Sequence, residues 1–386
     1  MNNTEDIIIV GGGPVGLFMG ICLYHHGIAC TILEQRTGLV QGSRSLGIHP
    51  VCLELFEKLG IVERFLSAGI KVQKGIASDG INELGEISFK DCPLPYNHIL
   101  INPQFETERI LRDHFLELAP QGLIQEAQVI DISHNQDEVS VSFVKDDVKH
   151  EIFGAYLIGC DGKNSIVRES SGIRFKGKKY PDTYIMGDFD DSTGYDNDAV
   201  VYLTKEGLVE CFPLPGKKRR WVVKTDKFIS DPTPQLLADL VHKRTNHTIP
   251  LVSNTMTSGF GVQHYLAETF VRERVLLAGD SAHVVSPIGG QGMNLGWLDA
   301  WELASILSYC RGLSRHQPIS DLFAYSSKQR SIARKVARRA EINMRLGRKS
   351  NFQPLKKLFL KTILKSSTNK KLAELFTMRG LESWWI

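Results

Sequence analysis

The sequence holds no run of about 18 apolar residues, so a membrane-spanning helix is not expected. Its 7 cysteines are odd in number and form no C-x-x-C pair. That argues against a disulfide framework and for reduced, mostly buried thiols in a reducing compartment. The first apolar run leads straight into a glycine turn, with no secretory-leader pattern, so a cytoplasmic location is the expectation. There is no G-x-S-x-G and no cluster of metal-ligating side chains, which leaves serine-based hydrolysis and metal-centred chemistry without carriers. Few aromatics are interleaved with the basic residues, which disfavours nucleic acid as a partner.

What is present is organised around Asp6 to Arg36, DIIIVGGGPVGLFMGICLYHHGIACTILEQR. Ile7 to Val10 reads as a buried parallel strand. Gly11, Gly13 and Gly16 follow as G-x-G-x-x-G, and Pro14 to His26 reads as a helix. Cys30 to Leu33 reads as a second strand ending at Glu34. The first glycine makes the turn, the second lets backbone approach a pyrophosphate, and the third packs helix on strand. Strand, helix and acid in register make this a dinucleotide site, with Pro14 and Val15 opening the helix and Glu34, Gln35 and Arg36 at the ribose end.

Two later segments resemble further stations at strand ends. GCDGKNSIVRESSG places Asp161 and Gly162 directly after a strand, with Ser165 and Arg168 on a following helix. VLLAGDSAHVVSPIGGQGMNLGWLDAWELASIL ends a strand at Gly279-Asp280, then enters a helix from about Asn294 through Gly289, Gly290 and Gly292. Asp280 suits a polyol hydroxyl, and the loop aims backbone N–H groups at whatever lies above it. His283 reads as a packing or capping residue ahead of a proton-transfer role. Arg44 and Gln104 stand at loop ends where a guanidinium or amide suits a diphosphate or a ring carbonyl.

The remaining rhythm divides the chain. The spacing predicts an α/β Rossmann-like domain from residues 1–71, 102–178 and 266–312. Residues 72–101 and 179–265 form a mostly antiparallel substrate sheet, with strands near 184–189, 199–204, 208–213, 220–225 and 255–262. Residues 313–386 form a basic helical region. Between Lys328 and Arg379 stand 16 Lys and Arg against two acids, a net +14 in a chain whose total is +3. Lys328 to Lys349 and Leu355 to Leu364 fit amphipathic helices, ahead of a terminal Trp384-Trp385-Ile386. A helical layer packed on the body is the plainer reading of this region. The alternative is a dock for anionic lipid or an acidic carrier protein.

The three stations in this order and spacing resemble the single-component flavin-dependent aromatic hydroxylases, of the para-hydroxybenzoate hydroxylase type, over about residues 5 to 310. The resemblance implies FAD in an extended pose. Glu34 would hold the adenosine ribose and Gly11 to Gly16 the pyrophosphate. Asp161 and Gly162 would serve FAD and reduced nicotinamide, and Asp280 the ribityl chain. Pro287 and Gly289 to Asn294, with Gln291 and Met293, would line the flavin ring, and Arg44 and Gln104 would touch the cofactor. NAD(P)H has no Rossmann domain of its own in this family, in keeping with the lone G-x-G-x-x-G.

The implied reaction is hydroxylation of a phenolic compound through a flavin C4a-hydroperoxide, as in pigment or secondary-metabolite synthesis. Positioning and exclusion of water are then the protein's task, and no catalytic base is assigned. Pro213 and Pro287 match positions that shape the site. Tyr184, Tyr202, Cys211, Pro213 and Trp221 are the candidates to meet substrate, with packing as the competing role. Two other readings stand beside this one: an isoprenoid reductase of the geranylgeranyl-reductase type, and a non-catalytic FAD-binding protein with a basic interaction tail. The W-x-W-x-I-P signature of the related halogenases is absent.

Overall fold

The computed structural model describes residues 4–39, 45–311, 319–349, 358, 360–364 and 369–379. In chain order the elements are β1 (Thr4–Val10), α1 (Pro14–His25), β2 (Cys30–Glu34), β3 (Gly47–Ile48), α2 (Pro50–Lys58), α3 (Val62–Ala68), β4 (Ile70–Val72), β5 (Lys74–Ser78), β6 (Glu83–Ser88), β7 (Ile99–Ile101) and α4 (Gln104–Leu118). They continue with β8 (Leu123–Gln125), β9 (Gln128–His134), β10 (Val139–Lys145), β11 (Val148–Gly159), α5 (Ile166–Ser170), β12 (Phe175–Asp190), β13 (Ala199–Thr204), β14 (Gly207–Leu214), β15 (Lys218–Thr225) and α6 (Pro234–Thr245). The last are β16 (Met256–Ala267), β17 (Val271–Arg272), β18 (Val275–Leu277), β19 (His283–Val284), α7 (Gly292–Arg311), α8 (Ile319–Gly347) and α9 (Asn369–Phe376).

The first layer is a sheet in which β18, β11, β1, β2 and β8 lie side by side and parallel. β1 is central and buried on both faces, as an unbroken Ile7-Ile8-Ile9-Val10 run requires. α1 is buried from Gly16 to Leu23, wedged between the sheet and α7. Phe18, Phe56 and Trp297 cluster there with ring centroids 5.0 to 6.1 Å apart. Burying side chains of this size contributes about 1.5–3 kcal/mol each. The register levels the strand ends. Val10 pairs with Leu33 on one side and Gly159 on the other, and Gly159 pairs with Leu277. Everything that leaves those strands emerges at one edge, on both sides of β1, where the strand order reverses.

The second layer is an eight-stranded sheet, β19-β16-β12-β15-β14-β13-β5-β6. Residues 74–88 join it through a parallel pairing of β5 with β13. The expected domain limits at 178/179 and 265/266 fall inside β12 and β16, strands of the second sheet whose ends at Phe175 and Ala267 pack into the core of the first layer. Gly60 adopts φ +71 and ends α2, so α3 follows as a separate helix. Helix α8 starts at Ile319, nine residues before the expected Lys328, and buries Ala333, Val336, Ala337 and Met344. Trp384, Trp385 and Ile386 lie outside the described residues.

Among the described residues no helix is long and apolar enough to cross a membrane. Cys22, Cys30, Cys52, Cys92, Cys160 and Cys211 are free thiols, all but Cys160 buried.

Candidate active site

The three strand-end turns are held together by backbone as much as by side chains. Gly11 N–H donates to Leu33 O at 2.8 Å, Cys160 N–H to Val10 O at 2.8 Å, and Ala278 N–H to Gly159 O at 3.1 Å. Ser281 Oγ donates to Gly159 O at 2.6 Å. Buried Arg168 reaches from α5 to Ser281 O and to Lys163 O, each at 3.0 Å, with its guanidinium 3.9 Å from the Phe175 ring centre. The second turn is therefore riveted to the third. Ser165 caps the helix, accepting from Arg168 N–H at 2.9 Å.

Gly11 has φ +104, and a Cβ there would lie 2.5 Å from the Cys160 carbonyl oxygen. A Cβ at Gly16 would strike the Gly11 carbonyl, so helix and strand meet here by backbone. Gly13 differs: a Cβ there would meet nothing nearer than Arg36 Nη2 at 3.8 Å. Gly13 caps α1 without a side-chain bond, leaving the first-turn N–H groups open to the cleft. Glu34 Oε2 accepts from Gly12 N–H at 2.7 Å, and Oε1 accepts from Arg36 N–H at 2.8 Å and Nε at 2.9 Å. Burial works against the charged form, but the Arg36 and Gly12 donors hold its carboxyl below the usual range. Arg36 also reaches the buried Glu108 at 3.2 Å.

Asp161 accepts from Val167 N–H through one oxygen, while its Oδ1 is buried without a partner, and burial raises its pKa. Asp280 is exposed on the cleft, and the protein crowded around its carboxyl raises its pKa by desolvation. Beneath the third turn, Asp299 Oδ2 accepts from Gly279 N–H at 3.0 Å and lies 2.5 Å from His283 Nε2, both side chains fully buried. Burial pulls the His283 pKa down, but the Asp299 carboxylate outweighs it and raises it overall. His283 thus braces the turn, the packing role expected of it.

All three turns open on one cavity of about 1380 Å³. Gly11, Gly13, Pro14, Val15, Glu34, Gln35, Arg36, Gln104, Asp161, Gly162, Asp280, Pro287, Gly290, Gly292 and Met293 line it, as expected residues gathered in one place. Single-ligand pockets usually measure about 300–1,000 Å³, so an elongated dinucleotide and a second molecule can share this one.

Three expected cofactor residues do not line it. Gly16 is used in packing, as above. Gln291 is buried outside the lining. Asn294 is fully buried, accepting from His49 N–H and donating to Gly47 O, both at 2.8 Å, so it ties down the 47–49 loop instead. Arg44 lies outside the described residues.

The substrate candidates need a larger correction. Tyr202, Cys211 and Trp221 face away from the cavity, in the cluster beneath α6. Pro213, two residues from Cys211, is buried on strand β14 but does not line the cavity. Side chains alternate along a strand, so a one-residue error in facing moves every contact to the wrong side. The residues that do face the cavity are their neighbours: Val201, Glu210, Phe212, Arg220 and Val222. Tyr184 is on the cavity face but is covered, stacked on Phe260, with its hydroxyl unpartnered. The helical layer expected to pack on the body does so as the roof of this cavity. Arg339, Ile342, Asn343 and Leu346 of α8, with Leu364 and Phe376, close the chamber.

A crevice at the carboxyl ends of a parallel sheet, with a helix N-terminus, a strand-end acid and two further acid-bearing turns, defines a dinucleotide-binding protein joined to a chamber for a second ligand. A family model described as "FAD binding domain" matches residues 4–340. The chain belongs to that family, the flavin-dependent aromatic hydroxylases. It is 32% identical over 313 residues to an uncharacterised aromatic compound monooxygenase of Bacillus subtilis (strain 168), covering 78% of this chain and 62% of that protein. It is 30% identical over 318 residues to pentachlorophenol 4-monooxygenase of Sphingobium chlorophenolicum, covering 77% and 57%. The chain thus spans about six-tenths of the length of these two relatives. Among solved structures, p-nitrophenol 4-monooxygenase from Pseudomonas putida DLL-E4 superimposes with a TM-score of 0.87 at 22% identity over 98% of both chains. The anhydrotetracycline hydroxylase of Streptomyces rimosus does so at 0.80 and 27%, covering 97% of this chain and 76% of that one.

Proposed function

We propose that this protein is an FAD-dependent monooxygenase that uses NAD(P)H and O2 to hydroxylate an aromatic, phenolic substrate. The observation that carries the reading is the level register of Val10, Leu33, Gly159 and Leu277, which opens three turns onto one cavity continuous with an apolar chamber. The donor set fits FAD. Open N–H groups at α1 suit the pyrophosphate and the carboxylate of Glu34 suits the ribose. Asp280 suits the ribityl hydroxyls, and the Gly289 to Met293 loop suits the ring edge. Glu34 already accepts from Gly12 and twice from the Arg36 side chain, so a ribose diol would displace Arg36, the partner on the open side. Asp161, with one unpartnered oxygen, and Gly162 suit FAD and the nicotinamide donor, and Gln104 a ring or diphosphate contact.

Bound FAD supplies electron transfer from NAD(P)H and oxygen activation. The chain's own share is orientation and dryness. Met186, Val201, Phe212, Val222 and the α8 roof surround the chamber, and Pro287 shapes its junction with the cofactor end. The test is NAD(P)H oxidation with a panel of phenols, with product mass followed. Phenol-stimulated oxidation and a gain of one oxygen support the reading. Saturation of an isoprenoid double bond would replace it with the reductase alternative, and FAD binding without turnover would leave a binding protein.

The basic segment 328–379 serves in this reading mainly as a wall. Four of its cations are engaged by the body: Lys328 with Glu302, Arg348 with Asp182, Lys349 with Asp226 and Arg379 with Glu54. Docking of a carrier-tethered substrate or a lipid surface would fall to exposed Arg334 and Arg338. Reversing both charges and measuring vesicle and acyl-carrier affinity tests it, and unchanged affinities would end it.

A further inference from the structure

Glu210 stands in the middle of β14, between Val201 of β13 and Val222 of β15, on the face that lines the chamber. It is 8% exposed, and no described residue hydrogen-bonds or pairs with its carboxyl. An ionised carboxyl is costly to bury without a partner, so such a group in an apolar wall points to a ligand that completes it. The other charges on this wall are committed. Arg220 grips Asp188 with two bonds of 2.7 Å, and Arg339 of α8 is engaged elsewhere. Phe212, Met186 and Val222 beside it offer flat apolar contact suited to a ring.

Resting on the aromatic-hydroxylase reading, we propose that Glu210 binds the acidic hydroxyl of the substrate and accepts its proton, so that the ring reacts as the phenolate. The proton passes from the phenol oxygen to a Glu210 oxygen, and the negative charge moves the other way, so the pair keeps one charge throughout. The electron-rich ring is the nucleophile that takes up oxygen. The substrate class follows: a phenol or enol with a free O–H fits, and its methyl ether does not. Burial pushes the Glu210 carboxyl up to about 7, near the range in which a general base is most effective. The titratable and charged groups facing it are the Tyr184 hydroxyl of β12, the Arg220–Asp188 pair of β15 and β12, and Arg339 of α8.

The experiment compares FAD-loaded wild type with Glu210→Gln and Glu210→Asp. Without NAD(P)H, 4-nitrophenol is titrated in and its yellow phenolate band read by difference spectroscopy. Wild type should bind it with the band shifted toward phenolate, and Glu210→Gln should hold it neutral. With NAD(P)H, wild-type kcat/KM should rise with pH through about 7. Glu210→Gln should lose about 100-fold at neutral pH together with that limb, and Glu210→Asp should recover part of both. If Glu210→Gln keeps the wild-type band and pH limb, whether or not its activity falls, or if Glu210→Asp recovers neither, the inference is overturned. If wild type ionises the probe yet never inserts oxygen, the monooxygenase reading fails while the role of Glu210 stands.

Discussion

At the nucleotide end of the cavity the wall is backbone. Gly11, Gly13, Gly162 and Gly290 bring main chain to the cleft, and the polar groups at the three turns are tied by hydrogen bonds of 2.6 to 3.1 Å across three strands. At the chamber end the wall is side chains of the second sheet and the α8 roof, and the Glu210 carboxyl has no partner among the described residues. The difference is one of tolerance. A backbone wall admits almost no substitution, because a single Cβ fills the space of the ligand or of a crossing strand. A side-chain wall can be reshaped residue by residue, which lets one framework serve different substrates.

Substitutions at the two ends should therefore behave unlike one another. Gly11→Val has the largest expected effect. With φ +104 and the Cys160 carbonyl 2.5 Å from the new Cβ, a loss of about 4 kcal/mol or more is expected, read as a colourless, low-melting protein. A yellow, stable variant would show that the turn is not set by backbone contact. Next comes Asp299→Asn, which strips the buried partner from His283 and should cost about 3 kcal/mol. The folded pKa of His283 is raised, so the pair's stabilisation is complete below its ordinary value of about 6.5 and fades as pH rises through the raised value. Thermal melts should show the gap between wild type and variant widest in acid and narrowing in base, and a gap that grows with pH would refute the assignment.

Glu34→Gln should weaken FAD binding by about 10- to 100-fold, the worth of one to two charge-assisted hydrogen bonds, as followed by quenching of flavin fluorescence. At the chamber end, Phe212→Ala should alter KM and the coupling of NAD(P)H oxidation to product while FAD affinity stays put. Smallest of all, Tyr202→Phe should lose only its 3.0 Å hydrogen bond to Tyr195, about 1 kcal/mol of stability, with kcat/KM unchanged. Altered substrate selectivity in that variant would return Tyr202 to the site.

The nucleotide end was legible because its signals are local. G-x-G-x-x-G, an acid 18 residues on at Glu34 and two strand-end aspartates each make sense within a dozen or so neighbours. Asn294 and Gln291 misled because a glycine-rich loop marks a close approach without saying which side chains turn inward. The chamber was not legible for two reasons. Strand alternation gives two faces but not which one looks at the site, so the sequence does not separate Trp221 and Cys211 from Arg220 and Glu210. A basic amphipathic helix looks alike whether its apolar side covers a core or awaits a partner, so the sequence allows α8 to pack on the body without showing that it roofs the chamber.

The chain itself determined that a dinucleotide would sit across the ends of parallel strands, since tight turns, helix dipoles and strand-end acids depend on short-range geometry written into consecutive residues. Only the tertiary structure decided which face of the second sheet became the chamber, that α8 roofs it, and that Glu210 faces it with no partner among the described residues. Those outcomes depend on how layers far apart in sequence pack together, and no local rule of spacing carries that information.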